Sequence, residues 1–280
     1  MYAKELNLAL AAAKEAGAMA MSYQGRPVQT ELKGGLRSNP VTEADKAIDR
    51  FLYGCIKRAF PHDGWLSEED VTDNDTIAQG RCWVVDPIDG TQGFLRWLET
   101  GEPHDNAQHN RWQFSISIAL VEKGVPVVGV VYAPLKGQMV SAIRGQGVTF
   151  NGHAVKRATP PPALAQATYL SSVSEERDGL LDFLKGKLTM HAYGSVAYKL
   201  ALTSLTANCV MASVKPKNIW DVAAGELLCT EAGLLVTDLA GQPFDYSTGT
   251  LAFEGLIAAP AHLHAQLRTI LPSKPTGGYR

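Results

Sequence analysis

Between Phe114 and Val155 the chain passes through four β-rich runs, FSISIALVEKG, VPVVGVVYAP, GQMVSAIRGQG and VTFNGHAV, punctuated by Gly, Pro and Asn. Runs of Val, Ile and Phe broken by turn residues at such short intervals predict an antiparallel meander. Two helical patterns precede it. Residues 3–22 are rich in Ala and Leu, and residues 43–60 place Ala47, Ile48, Phe51, Leu52, Cys55, Ile56 and Phe60 on one helical face. Thr42 stands before the second pattern with Asp45 three residues on, close to a capping box. Between the helices, LKGGLRSNPVTEAD is a loop marked by Gly and Pro, and GWLSEED and RCWVVD read as short strands ending in acids.

Beyond the meander, Pro160, Pro161 and Pro162 mark a linker. Strands and helices then alternate: ATYLSSV, a helix over 175–186, LTMHAY, a helix over 195–206, ANCVMAS, a helix from Trp220, LLVTDLAG and a helix over 260–270. The closing PSKPTGGYR reads as a frayed tail. The expected fold is therefore a layered α+β and α/β sandwich. An α+β half spans residues 1–159 and an alternating α/β half spans 160–280, with any site where they meet.

Composition narrows the function. The 280 residues are 45% apolar, enough for a large core. Lys plus Arg (26) nearly balance Asp plus Glu (28), for a net charge of −2. That balance argues against a nucleic-acid coat or a membrane-surface protein. The four cysteines are scattered with no CxxC pair, as packed thiols in a reducing compartment would be. The N-terminal pattern carries Lys4, Glu5, Lys14 and Glu15 among its alanines, which reads as an amphipathic helix and not a signal peptide. No apolar run is long enough to span a bilayer. A cytoplasmic protein with neither nucleic acid nor membrane as partner is expected.

Acids close many of the apolar elements. Glu68 and Glu69 end GWLSEED, Asp86 and Asp89 lie in WVVDPIDGTQGFLR, Asp221 opens the helix in NIWDVAAGELLCTEAG, and Asp45 lies in a helical first turn. Taken singly, each has an ordinary reading: Asp-Pro and Asp-Gly as turns, Asp45 and Asp221 as helix-cap acids, the glutamates as solvated surface. Taken together, acids at element ends converge at one end of a sheet, where open α/β folds place ligands. Neighbouring carboxylates repel and raise each other's pKa, and no Lys or Arg run sits beside DPIDG. A hard divalent cation resolves this, and oxygen ligands without His or Cys favour Mg²⁺ over Zn²⁺. Two or three Mg²⁺ ions about 3.5–4 Å apart would clamp a phosphoryl group and acidify a water. The Gly90 and Thr91 amides, at the start of a helix-like TQGFLRW, would cradle the phosphate oxygens.

NPVTEAD, SEED, WVVDPIDGT and NIWDVAAGELLCTEAG, in that order, resemble the inositol monophosphatase superfamily of Mg²⁺-dependent, lithium-sensitive phosphatases, over roughly residues 3–270. The resemblance implies an αβαβα sugar-phosphatase fold and a homodimer. It implies metal ligation by Glu68, Asp86, the Ile88 carbonyl, Asp89 and Asp221, and phosphate binding by Gly90 and Thr91. Thr91, hydrogen-bonded to Asp45, would orient and deprotonate the attacking water, so Asp45, Thr91 and Glu68 form the implied catalytic set. The implied substrate is a small phosphorylated metabolite. DPIDGT followed by GFLR is more similar to the 3'(2'),5'-bisphosphate nucleotidase branch, which acts on 3'-phosphoadenosine 5'-phosphate, than to the inositol branch.

Inositol 1-phosphate and histidinol phosphate are the rival esters, and a non-catalytic protein that binds a phosphorylated ligand is the rival from another class. GSVAYKLAL resembles the family's substrate-side helix start, placing Ser195 and Lys199 there, with Lys199 available to a second phosphate. Val214, Lys215 and Pro216 occupy the region where the family keeps an acid for an inositol hydroxyl. Residues 97–112 read as an insertion, either a lid that reads the substrate or an inert surface segment, bringing Glu99, Glu102, His104, Asp105, His109 and Arg111 close in sequence to the phosphate turn. His262 and His264, two apart on a helix, face different ways and do not suggest a metal site.

Overall fold

The computed structural model describes residues 1–32, 40–71, 77, 80–101 and 109–275. The sequence pattern at the N-terminus becomes α1 (Ala3–Met21), a ribbon of β1 (Thr30–Leu32) and β2 (Pro40–Thr42), and α2 (Glu43–Ala59). Thr42 starts α2 with a complete capping box: its hydroxyl accepts from the Ala44 and Asp45 N–H groups, and the Asp45 carboxylate accepts from the Thr42 N–H. Ala44, Ile48, Leu52 and Ile56, spaced four apart, form the fully buried stripe of this helix. The ribbon takes up both ends of the expected 32–45 loop, and residues 33–39 lie outside the described residues.

The meander is the centre of a seven-stranded sheet: β3 (Gly64–Ser67), β4 (Arg81–Asp89), β5 (Ser115–Glu122), β6 (Val125–Ala133), β7 (Gln138–Ile143), β8 (Val148–Phe150) and β9 (His153–Ala154), in that spatial order. Only β3 and β4 pair in parallel; every other pair is antiparallel. Helix α3 (Thr91–Thr100) follows β4. Because side chains alternate along a strand, the two faces enter different cores. Trp83, Val85, Ile116, Ile118, Val128 and Val130 pack with α1 and α2. Val84, Ala119, Val121, Val131 and Val140 pack with helices from the C-terminal half.

That half supplies β10 (Thr168–Ser172), α4 (Val173–Arg177), β11 (Thr189–Tyr193), α5 (Val196–Leu205), β12 (Cys209–Ser213), β13 (Lys217–Asn218), α6 (Ile219–Glu231), β14 (Leu235–Thr237), β15 (Ala252–Phe253), β16 (Leu256–Ala259) and α7 (Ala261–Ile270). Its five-stranded sheet runs β11-β10-β12-β16-β14, with β11, β10 and β12 parallel and β16 antiparallel to both neighbours. Helices α5 and α6 lie between the two sheets. Ala197, Ala201, Ile219, Ala223 and Ala224 face the large sheet, while Val196, Leu200, Val222 and Cys229 face the small one. Leu263 and Leu267 of α7 cover its far side. The layers are thus helix, sheet, helix, sheet, helix.

Gly225 sets the spacing of the central helix layer, since a Cβ there would lie 2.5 Å from the Leu200 Cβ. Gly225→Ala is expected to force α5 and α6 apart and to cost about 1–3 kcal/mol of stability, measured as a lower denaturation midpoint at unchanged slope.

One local expectation changes. The single helix over 175–186 is instead α4 and a 3-10 turn at Asp182–Leu184, separated where Gly179 adopts φ 72°; a left-handed glycine ends a helix readily. Residues 160–162 carry no regular structure, yet the core that contains Val84 and Val131 also contains Ala197 and Ala224, so the two halves share one interior. Residues 276–280 of the tail lie outside the described residues. All four cysteines are free thiols, three of them buried. Among the described residues no helix is long and apolar enough to cross a membrane.

Candidate active site

The parallel pairing of β3 with β4 sets Ser67 opposite Val85, and the Glu68 N–H donates to the Val85 carbonyl at 3.2 Å. Glu68 therefore leaves its strand level with Asp86. Along the other edge of β4 the ladder with β5 runs to Asp86 opposite Ser117, breaks at Pro87, and resumes with Asp89 opposite Ser115. Proline has no N–H to give the ladder; the Ile88 N–H turns instead to the Asp86 carboxylate at 3.0 Å. Gly90 then adopts φ 94°, and a Cβ there would lie 2.9 Å from the Gln113 carbonyl, so the turn is closed to larger residues. Helix α3 begins at Thr91, which puts Gly90 and Thr91 where the first N–H groups of a helix lack intrahelical acceptors.

The third acid arrives from the other half. Ser117 donates to the Trp220 carbonyl at 3.2 Å, pinning the start of α6 to β5. Asp221, in the first turn of α6, accepts from the Asn218 N–H at 3.2 Å. Asp89 is held from α5: Ser195 Oγ donates to it at 2.5 Å and the Ala197 N–H at 2.6 Å. These ties bring ligand oxygens of Asp86, Asp89 and Asp221 within 4.8 Å of one another. Burial pushes the Asp86 carboxyl well above the ordinary range, and the charges of Glu68, Asp89 and Asp221 push it further. Asp221 is driven well up too, by burial and then by Asp89 and Glu68. Asp89 is also raised by burial, although the donors from Ser195 and α5 pull it back.

This donor set fits magnesium. It is all oxygen, it is mutually repulsive without a cation, and each of the three aspartates has its direction fixed by a protein N–H. Behind it lies the Asp45–Thr91 pair. Asp45 is buried, and one oxygen accepts from the Thr42 N–H at 2.8 Å and the Thr42 hydroxyl at 2.5 Å. Thr91 Oγ lies 3.3 Å from the other oxygen and 3.2 Å from the Ile88 carbonyl, which gives its one proton two acceptors. Burial pushes Asp45 up to about 6, against the pull of the Thr42 donors.

The structure thus gathers Asp45, Glu68, Asp86, Ile88, Asp89, Gly90, Thr91 and Asp221. Ser195 and Lys199 sit differently from the substrate-side placement that the motif suggested. The buried Ser195 hydroxyl is engaged by Asp89, by Ser115 Oγ at 3.0 Å and by the Tyr198 N–H at 2.9 Å. Lys199 is one turn farther along α5, which runs inward between the sheets, so it is fully buried and donates to Ser172 Oγ at 2.5 Å. Burial pushes it down to about 8. Sequence reasoning passed over Lys217, a nearly buried cation whose charge acts on Asp221 and Lys199. The available signal was KPKN, placing a lysine four residues before Asp221.

The expected insertion over 97–112 begins in regular structure. Residues 97–100 are the last turn of α3, with buried Trp97 packed on Phe94 and Phe114 at ring distances of 6.1 and 5.9 Å. Gly101 (φ 62°) ends that helix, while Glu102, His104 and Asp105 lie outside the described residues. Arg111 pairs with Glu176 at 3.2 Å. Val214 is fully buried and Lys215 pairs with Asp178 at 2.6 Å. His262 meets the Pro161 carbonyl and His264 meets Thr237, each at 2.8 Å.

The model of the inositol monophosphatase family matches residues 1–274. Inositol monophosphatase 2 of Solanum lycopersicum is 30% identical over 270 residues, covering 92% of this chain and 94% of that protein. Nus factor SuhB of Escherichia coli (strain K12) is 31% identical over 256 residues, covering 84% of this chain and 85% of that protein. Among solved structures, the native extragenic suppressor protein suhB from Bartonella henselae has a TM-score of 0.78 at 25% identity, covering 96% and 98% of the two chains. An IMPase of Thermotoga maritima has a TM-score of 0.78 at 26% identity, covering 95% and 96%. With a carboxylate cluster suited to magnesium at its centre, the chain belongs to the inositol monophosphatase family of metal-dependent phosphatases.

Proposed function

We propose that the chain hydrolyses a 3'(2'),5'-nucleoside bisphosphate, with 3'-phosphoadenosine 5'-phosphate converted to AMP. The observation that carries phosphate-ester turnover is the placement of the Asp45–Thr91 pair beside the Asp86, Asp89 and Asp221 cluster. A protein that only binds a phosphorylated ligand has no use for a buried base next to its metal ligands. The burial of Val214, with lysines nearby, supports an anionic alcohol moiety over an inositol ring. Composition adds a cytoplasmic location to this reading, and the resemblance adds a homodimer.

Glu68, Asp86, the Ile88 carbonyl, Asp89 and Asp221 would hold two or three magnesium ions, which supply charge to polarise the phosphoryl oxygens and to acidify water. The chain's own groups do the rest. The Gly90 and Thr91 amides bind the phosphate at the positive end of α3. Thr91 orients the attacking water and Asp45 takes its proton. A new P–O bond forms from water as the ester P–O bond breaks in line; the departing alkoxide takes a proton from solvent water, and Asp45 returns its own to solvent. Ser195 keeps Asp89 aimed.

Phosphate release with Mg²⁺ over adenosine 3',5'-bisphosphate, inositol 1-phosphate and histidinol phosphate tests the reading. The bisphosphate is expected to show the highest kcat/KM, with inhibition by Li⁺. Release from none of them at any Mg²⁺ concentration would favour the binding-protein alternative.

A further inference from the structure

The C-terminal ends of β11, β10 and β12 point the same way, and the segments leaving them carry Ser195, Glu175 and Lys217. Open α/β sheets bind ligands beyond such carboxyl ends. Here that edge abuts the metal-ligand cluster: Ser195 holds Asp89, and Asn218, next to Lys217, holds Asp221.

Two lysines sit at this edge with little to hold them. Lys217 is 9% exposed, and its ammonium has one hydrogen bond among the described residues, to the Pro216 carbonyl at 3.3 Å. Lys199 is fully buried on the Ser172 hydroxyl. Neither forms an ion pair among the described residues. Lysines this buried are rare unless paired, because an uncompensated ammonium in a low dielectric is costly. The negative groups that act on Lys199 are Glu175, Asp89 and Asp221. One Glu175 oxygen is fixed by the Ser213 hydroxyl and the Lys215 N–H; the other is buried without a partner. Once Asp89 and Asp221 are committed to cations, two ammonium groups remain beside a single carboxylate. That is a positive surplus, and a neutral polyol hydroxyl does not cancel it.

We propose that Lys217, backed by Lys199 beneath it, is a specificity-determining residue that binds a second anionic group on the alcohol side of the substrate. This rests on the phosphomonoesterase reading above and selects esters with two separated anions. Lys217 would touch the ligand; Lys199 acts through the field behind it.

Adenosine 3',5'-bisphosphate and adenosine 3'-phosphate differ only in the second anion, so their kcat/KM ratio reads the subsite. The full chain with Mg²⁺ is expected to prefer the bisphosphate by about tenfold or more. Lys217→Met should reduce that ratio by about tenfold, mainly through KM, and Lys217→Arg should restore part of it. With Mg²⁺ present, adenosine 5'-phosphate should raise the melting temperature of the parent protein more than that of Lys217→Met. No preference in the parent, an unchanged ratio in Lys217→Met, or equal losses for both esters would overturn the proposal. If no ester is hydrolysed at all, the phosphatase reading fails while the melting shift still decides the anion subsite.

Discussion

Asp89→Asn is expected to fold normally and to release phosphate about a thousandfold more slowly, a loss of about 4 kcal/mol of transition-state stabilisation. The fold survives because the amide oxygen can still accept from Ser195 Oγ and the Ala197 N–H, the two donors that anchor Asp89 to α5. The cation site does not survive. Asparagine removes one full negative charge from a trio whose ligand oxygens lie within 4.8 Å, and it turns an N–H₂ or a neutral oxygen toward the ion. A stability measurement separates this loss from misfolding. In the metal-free protein, burial raises the carboxyls of Asp86, Asp89 and Asp221, and neighbouring like charges raise Asp86 and Asp221 further. The folded chain then binds protons that the unfolded chain has released, so stability falls as pH rises above about 4. Mg²⁺ should reverse that fall in the parent protein, because it binds only the folded cluster. In Asp89→Asn the metal-free melting temperature at neutral pH should be as high as the parent's or higher, with a smaller rise on adding Mg²⁺. Full turnover with this residue replaced would remove Asp89 from the cation site.

The acids were legible because each ends an element whose pattern is clear. Asp86 follows an apolar strand, Asp221 opens a helix, and the Thr42–Asp45 spacing announces a cap. Order along the chain therefore predicted convergence, and the layered fold supplied it. What stayed hidden depends on which way an inward-running helix turns its side chains. Lys199 reads as an accessible substrate-side cation of GSVAYKLAL, since nothing in those nine letters says that α5 is covered on both faces. Lys217 escaped attention because KPKN has the composition of a solvated loop, although pairing of β13 with β15 draws it in. The break at Gly179 is similar: a helical pattern continues on either side of a glycine whose left-handed conformation is set by the fold. Patterns report elements, whereas burial of a polar group is decided by the neighbours that those elements acquire.

Asp45→Asn is expected to lower kcat by about a hundredfold to ten-thousandfold, the range for losing a general base, and to remove the acid limb of the pH–rate profile. Asp45 must be ionised to take a proton from water. Burial raises its carboxyl to about 6, so the rate should fall as pH drops below about 6. Cations on the nearby cluster favour the ionised form and move that limb toward lower pH. The cap role argues against a trivial unfolding effect. One Asp45 oxygen serves the Thr42 N–H and hydroxyl, and an asparagine oxygen can take over the N–H, leaving α2 with most of its cap. The second oxygen, 3.3 Å from Thr91 Oγ, is the one whose basicity is lost. Thr91→Ser keeps the hydroxyl and should retain much of the activity, whereas Thr91→Val keeps the shape and should lose about as much as Asp45→Asn. If Asp45→Asn and Thr91→Val act as one unit, the double variant falls no further than either alone. Additive losses would mean that the two side chains do separate jobs and that the proton leaves the water by another path.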